Sequence, residues 1–140
     1  MTAAYDDSNI FAKILRDEIP SVRVYEDENC IAFMDVMPQT AGHTLIVPRA
    51  PSRNLLDADP NVLSKVIPVV QKIAQAAMKA FNADGIQLRQ FNEAPSGQTV
   101  YHLHFHIIPV YAGVEFQMHA AKMEDMDILK ANAEKLKAAL

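Results

Sequence analysis

The residues best equipped for chemistry lie in one short stretch, Tyr101-His102-Leu103-His104-Phe105-His106-Ile107-Ile108-Pro109. The chain holds five histidines in all, and three of them alternate here with Leu103, Phe105 and Ile107. A period of two is the pattern of a strand with unlike faces. One face would carry the histidines and the other would lie on a core. Same-face neighbours on a strand sit about 6.5–7 Å apart, because each residue rises about 3.3 Å. That spacing suits a row of groups meeting one extended polar ligand. Three chemistries are open to such a row. The histidines could be half-buried and bonded to backbone, although burying several imidazoles without a use is costly. They could bind a metal, since imidazole is a common neutral ligand. Yet a row does not converge as tetrahedral coordination requires, and no Asp or Glu lies beside it in the sequence. They could act on phosphorus. A neutral imidazole can attack a phosphoryl centre and form a phosphoramidate, while flanking imidazoles stabilise the oxygens and assist the leaving group.

The elements that must position this stretch can be read in order. Ser8 could cap a short helix through Ile10–Arg16, with Ile10, Phe11, Ile14 and Leu15 on one face. Val22–Tyr25 and Cys30–Met34 read as a hairpin around Glu26–Asn29. Asp35–Ala41 is a loop, and His43–Val47 a third strand. After an irregular stretch with one helical turn near Asn54–Leu56, Asp59-Pro60 starts a long helix running towards Phe81. Pro68 lies inside it and should kink or split it. Ile86–Phe91 is a fourth strand, Asn92–Gly97 a polar loop, and Thr99–Pro109 the histidine strand. Asp125 or Asp127 begins a C-terminal helix with Ile128, Leu129, Leu136 and Leu140 as its apolar stripe. Strands in adjacent pairs imply an α+β domain: about five largely antiparallel strands with helices on one face.

Bulk properties narrow the function classes. A length of 140 residues and 50% hydrophobic content fit a single domain, 1–140, with a sizeable core. A formal net charge of -4 argues against broad contact with nucleic-acid backbone, which needs clustered Lys and Arg. The single cysteine, Cys30, precludes an internal disulfide and reads as a small buried residue in a reducing compartment. The acidic N-terminus lacks a signal-peptide pattern, and no apolar run nears the ~20 residues that span a bilayer. A soluble, cytoplasmic protein is expected.

With these residues in view, the sequence resembles the histidine-triad (HIT) superfamily of nucleotide hydrolases and transferases. His102–Ile108 fits the family's His-x-His-x-His and two apolar positions. Gly97-Gln98-Thr99-Val100 precedes it as in the family. Gly42-His43-Thr44-Leu45-Ile46-Val47-Pro48, Ala32-Phe33-Met34-Asp35-Val36 and Ile10-Phe11-Ala12-Lys13-Ile14 are similar to the family's earlier segments. The last ~25 residues match no motif of the family and read as an extension of the HIT domain.

The resemblance implies a HIT-like fold and a set of roles. His104 would be the nucleophile that takes the nucleotidyl group. His106 would contact the phosphate and assist the leaving group, and His102 and His43 would orient His104. Thr99 and Asn92 would lie near the phosphate, Gly97 would leave room for it, and Asp35 would accept hydrogen bonds from ribose. Phe11, Ile14, Phe33, Val36 and Leu45 would wall a purine pocket with Ile10 at its edge. Read without the family, Phe33, Leu45 and Ile14 are equally core residues, and Asp35 and Asn92 turn formers. His119 falls in no motif and reads as a surface residue. Where some members carry Cys-x-x-Cys and a later His for a structural zinc, this chain has Asn9, Ala12 and a segment near Pro51, so no metal and no cofactor is expected. The loop Asn92-Glu93-Ala94-Pro95-Ser96 departs from the glycine-richer form of many members. The size resembles the Hint branch: homodimeric purine nucleoside phosphoramidases. The rival is the Fhit branch, which hydrolyses dinucleoside polyphosphates. A nucleotide-binding interaction protein with weak activity is the third reading.

Overall fold

The computed structural model describes residues 4–118 and 122–140. His119 lies outside them. The elements are α1 (Ile10–Leu15), β1 (Arg23–Glu26), β2 (Cys30–Met34), β3 (Thr44–Pro48), α2 (Pro60–Ala80), β4 (Gly85–Arg89), β5 (Phe105–Val110) and α3 (Met126–Ala139), with 3-10 turns at Leu55–Asp57 and Ala94–Ser96. The five strands form one sheet in the order β1-β2-β3-β5-β4, and every neighbouring pair is antiparallel.

The sheet is covered on both faces, which explains why β2 and β3 are buried at every position. Cys30, Ala32, Met34, Ile46, Leu103, Phe105 and Ile107 pack with Val66, Val70 and Ile73 of α2 and with Leu129, Ala133 and Leu136 of α3. On the other face Ile31, Phe33, Leu45 and Val47 meet Phe11 and Ile14 of α1. The helices are therefore not confined to one face. Six residues of α1 suffice there because β2 and β3 turn alternate apolar side chains outwards as well as inwards.

Helix α2 runs through Pro68 without splitting. An interior proline costs about 3 kcal/mol, but Pro68 faces solvent while Val66, Val69, Val70, Ile73, Ala76 and Ala77 hold both halves against the sheet. In α3 the buried residues are Leu129, Ala133 and Leu136, spaced four and three apart. Ile128 is exposed, since it is about 100° from Leu129 on a helix of 3.6 residues per turn; Leu140 is exposed because it lies past the last helical residue, Ala139. The C-terminal extension is thus part of the main core.

The histidine strand is shorter than its alternation suggests. Its ladder to β3 pairs Thr44 with Ile107, Leu45 with His106 and Ile46 with Phe105, and only His106 lies within β5. Further pairing would reach Pro48, which has no N–H to donate. His102 and His104 stand in the irregular approach to β5, yet the alternation survives: Leu103 and Phe105 still face the α2 side.

Truncating Leu136 to Ala should destabilise the protein by about 2–5 kcal/mol, the usual cost of a buried Leu→Ala cavity. Ile128→Ala should change stability by less than about 1 kcal/mol. Denaturant unfolding compares the two, and equal losses would contradict the packing of α3.

Candidate active site

Four buried histidines gather where β3, β5 and the segment before β5 meet: His43, His102, His104 and His106. Their partners define which nitrogen carries each proton. His43 Nδ1 accepts from the Gln39 backbone N–H at 3.1 Å, so its proton sits on Nε2. That N–H donates to His106 Nδ1 at 3.0 Å, which leaves the His106 proton on Nε2. Asp35 Oδ2 lies 3.4 Å from His43 Nε2 and stabilises the positive end of the donated bond. His104 Nδ1–H donates to the His102 carbonyl at 2.6 Å, so the His104 lone pair is on Nε2. His102 Nε2–H donates to the Pro48 carbonyl at 2.7 Å, and its Nδ1 accepts from the Tyr5 hydroxyl at 2.6 Å. Phe11 meets the His104 ring edge to face at 4.8 Å between centroids, and the His104 and His106 rings are 5.0 Å apart. The result is one imidazole whose lone pair is on Nε2 beside another whose proton is on Nε2.

His104 and His106 open on a cavity of about 480 Å³, within the range of small-molecule sites. Ile10, Phe11, Ile14, Phe33, Val36 and Leu45 line it, together with Asp35, Thr99, His104 and His106. Phe33, Leu45 and Ile14 thus serve as core and cavity wall at once. Asn92 and Gly97 are not in the lining. The Asn92 amide accepts from the Leu55 N–H and from Gln90, and donates to Gln90. Gly97 has φ 114°, a left-handed backbone that favours glycine. Asp35 anchors its own loop by accepting from the Met37 N–H at 2.9 Å. His43 bonds to His106, which ties the histidine of β3's approach to the one within β5.

Several contributors escape sequence reasoning. Met123 and Met126 line the cavity from the C-terminal segment, which reaches it through the Glu124 N–H donated to the Val36 carbonyl at 2.8 Å. Their spacing carries no signal of that approach. Tyr5 lies in an acidic stretch with no periodicity. Glu93, the departure in the polar loop, takes two hydrogen bonds from Arg53 at 2.8 and 3.0 Å and one from Asn54 at 2.6 Å. The Arg53 guanidinium holds the Glu93 carboxyl below its ordinary range and stacks 4.0 Å above the Tyr101 ring. An ion pair therefore sets the shape of the loop before the histidines.

Asp35, His43 and His106 each present one ligating atom within 4.8 Å of one another, a donor set that suits a transition metal. An acidic residue does stand beside the histidines, contrary to the sequence reading; it arrives from the end of β2. The relay from Gln39 through His43 to His106 satisfies the same ring nitrogens with protons alone. Metal analysis of protein purified without added metal should find well under one equivalent of zinc. A full equivalent that disappears in His43→Gln would make the cluster a metal centre.

Burial pushes the His102 imidazole below its ordinary value of 6.5. The unfolded chain then takes up a proton near pH 6.5 that the folded chain refuses, so this group's contribution to stability is complete above that pH and is lost as pH falls below it, through the lower folded value. An NMR titration should show His102 still mostly neutral at pH 6.5; a midpoint at or above that value would overturn the assignment.

A family model described as the HIT domain matches residues 16–113. A HIT-like protein of Borreliella burgdorferi is 37% identical over 124 residues, 86% of this chain and 88% of its own. The adenylylsulfatase HINT3 of Arabidopsis thaliana is 33% identical over 121 residues, 82% of this chain and 61% of its own. Among solved structures, a Hit-like protein from Bartonella henselae superposes with a TM-score of 0.92 at 61% identity, covering 98% of this chain and 100% of that one. A Zn-bound histidine triad family protein from Mycobacterium smegmatis has a TM-score of 0.83 at 32% identity, with coverage of 94% and 92%. The chain belongs to the HIT family, and its five-stranded antiparallel α+β architecture is that of its relatives. Among the described residues no helix is long and apolar enough to cross a membrane.

Proposed function

We propose that this protein is a nucleotide hydrolase acting on purine nucleoside 5′-phosphoramidates or related nucleotidyl conjugates. The observation that carries this reading is the pairing of His104, with its lone pair on Nε2, and His106, with a proton on Nε2, at one end of a largely apolar cavity. The apolar walls suit a base, Asp35 suits ribose hydroxyls, and the histidine end suits phosphate. Thr99, also in the lining, suits the α-phosphate side, with Asn92 and Gly97 shaping the loop behind it. The Arabidopsis relative is named for adenylylsulfate, a different leaving group on the same adenylyl moiety.

In the first step His104 Nε2 forms a bond to phosphorus as the bond to the leaving group breaks. The leaving amine departs with the electron pair and one proton from the medium, and His104 becomes a nucleotidylated imidazolium. The His102 carbonyl accepts the Nδ1–H of that cation, so the hydrogen bond strengthens as charge develops. His106 Nε2–H donates to a non-bridging oxygen. In the second step water cleaves the N–P bond, yielding the nucleoside monophosphate, neutral His104 and the borrowed proton. A homodimer in a cytoplasmic setting belongs to the same reading. Strand β4 is a sheet edge with Leu88 exposed, and α2 exposes Ile67, a surface suited to a second copy.

His104→Ala should reduce turnover at least about a thousandfold, the scale of losing a covalent nucleophile, while nucleoside monophosphate still binds. Quenched reactions with labelled nucleotide should trap label on His104. Near-normal turnover in the variant would sink the nucleophile assignment. Adenosine phosphoramidate should be a better substrate than a diadenosine polyphosphate; the reverse order would favour the rival hydrolase.

A further inference from the structure

The hydrogen bond to His104 is only as well placed as the His102 peptide that accepts it. His102 is held from two sides. Its Nε2–H is donated to Pro48 at the end of β3, and its Nδ1 accepts from Tyr5 at 2.6 Å. Tyr5 is itself held by Asn9, whose Nδ2–H donates to the same hydroxyl at 3.1 Å and to the Asp6 carbonyl at 2.8 Å. Asn9 also caps α1 by accepting from the Ala12 N–H at 2.9 Å. The adjacent Phe11 meets the His104 ring. One short segment, Tyr5–Phe11, therefore touches both the residue that carries the acceptor and the ring that donates to it.

We infer that Tyr5 is a positioning residue for the nucleophile, acting through His102: its hydroxyl, steadied by Asn9, locks the His102 ring and so sets the carbonyl that orients His104 and stabilises the charge it gains on nucleotidylation. The hydroxyl sits 2.6 Å from an imidazole nitrogen that is almost wholly buried, a contact with no role in carrying β5. It forces the His102 proton onto Nε2, and Pro48 then receives it. Both anchors are needed, because a ring bonded only at Nε2 can pivot about that bond. Tyr5 and Asn9 also lie before residue 16, where the matched family model begins. Asn9 stands where the resemblance places the first cysteine of zinc-binding members, so a hydrogen-bonded clasp of protein groups occupies that position here.

The inference rests on His104 being the nucleophile. Tyr5→Phe removes only the hydroxyl and keeps the ring, which packs edge-on to His102 at 5.5 Å. Because the carbonyl matters most when His104 carries charge, the effect should fall on kcat. The expected result is a loss on the order of tenfold or more, the scale of a misplaced reacting group, with little change in KM. Tyr5 is the titratable side chain hydrogen-bonded to the His102 ring; Asp6, Asp7 and Arg16 act on the phenol from further off. A hydroxyl donating to Nδ1 favours neutral His102, so its loss lets that ring protonate more readily. The acid limb of the kcat profile should move to higher pH, and the His102 ring should titrate at higher pH by NMR in the free enzyme. Asn9→Ala should shift both in the same direction by a smaller amount.

Wild-type kcat and an unmoved His102 titration in Tyr5→Phe, with His104→Ala inactive, would overturn the clasp and leave the nucleophile standing. An active His104→Ala would overturn the nucleophile, whatever Tyr5→Phe does. Equal falls in kcat and thermal stability with no shift in either pH readout would reduce Tyr5 to packing and refute the positioning role.

Discussion

The contact on which the site depends is the hydrogen bond from His102 to the carbonyl of Pro48. It lies where the β3–β5 ladder stops, and it stops because proline has no N–H to continue it. The carbonyl left over at the end of β3 is taken by a side chain of the opposing segment. That exchange releases residues 99–104 from strand geometry while keeping them beside the sheet. His104 can then turn its Nδ1 onto its neighbour's carbonyl, a bond a regular strand would not allow at such close range along one chain.

Protonation in this site is set largely by the backbone. The Gln39 N–H and the carbonyls of Pro48 and His102 each engage a different imidazole. Neutral imidazole has one donor and one acceptor nitrogen, so each backbone contact decides the tautomer of the ring it meets. His106 receives its instruction at second hand, through His43. Backbone groups do not titrate, and the division between an attacking nitrogen and a donating one is built in before substrate arrives.

The cavity follows from the two-sided sheet. Strands β2 and β3 must bury both faces, and the short α1 covers only part of the second. The uncovered remainder is walled by apolar residues and closed by the segment carrying Met123 and Met126. That segment is positioned by α3, whose Leu129 and Leu136 sit in the opposite core. The helix that matches no family motif thus acts on the site from the far side of the sheet.

Much of this was legible in the order of residues. The alternation of His102, His104 and His106 with Leu103, Phe105 and Ile107 assigns faces, because side-chain direction in an extended chain depends on parity alone. Pro60 after Asp59 starts α2, and the runs at Cys30–Met34 and Leu45–Val47 mark central strands, since those signals are local. What the order of residues could not decide is anything requiring distant groups to meet. Asp35 beside His106, Tyr5 on His102, Glu93 on Arg53 and Met123 at the cavity all join segments far apart in the chain, and nothing in the spacing of either partner announces the other. The partners of Asn92, the Leu55 N–H and Gln90, are set the same way: an amide serves whichever donors and acceptors folding brings to it. The sequence by itself determined that three imidazoles would share one face. Only the tertiary structure decided which nitrogen of each holds the proton, because that depends on the backbone group each ring is brought to face.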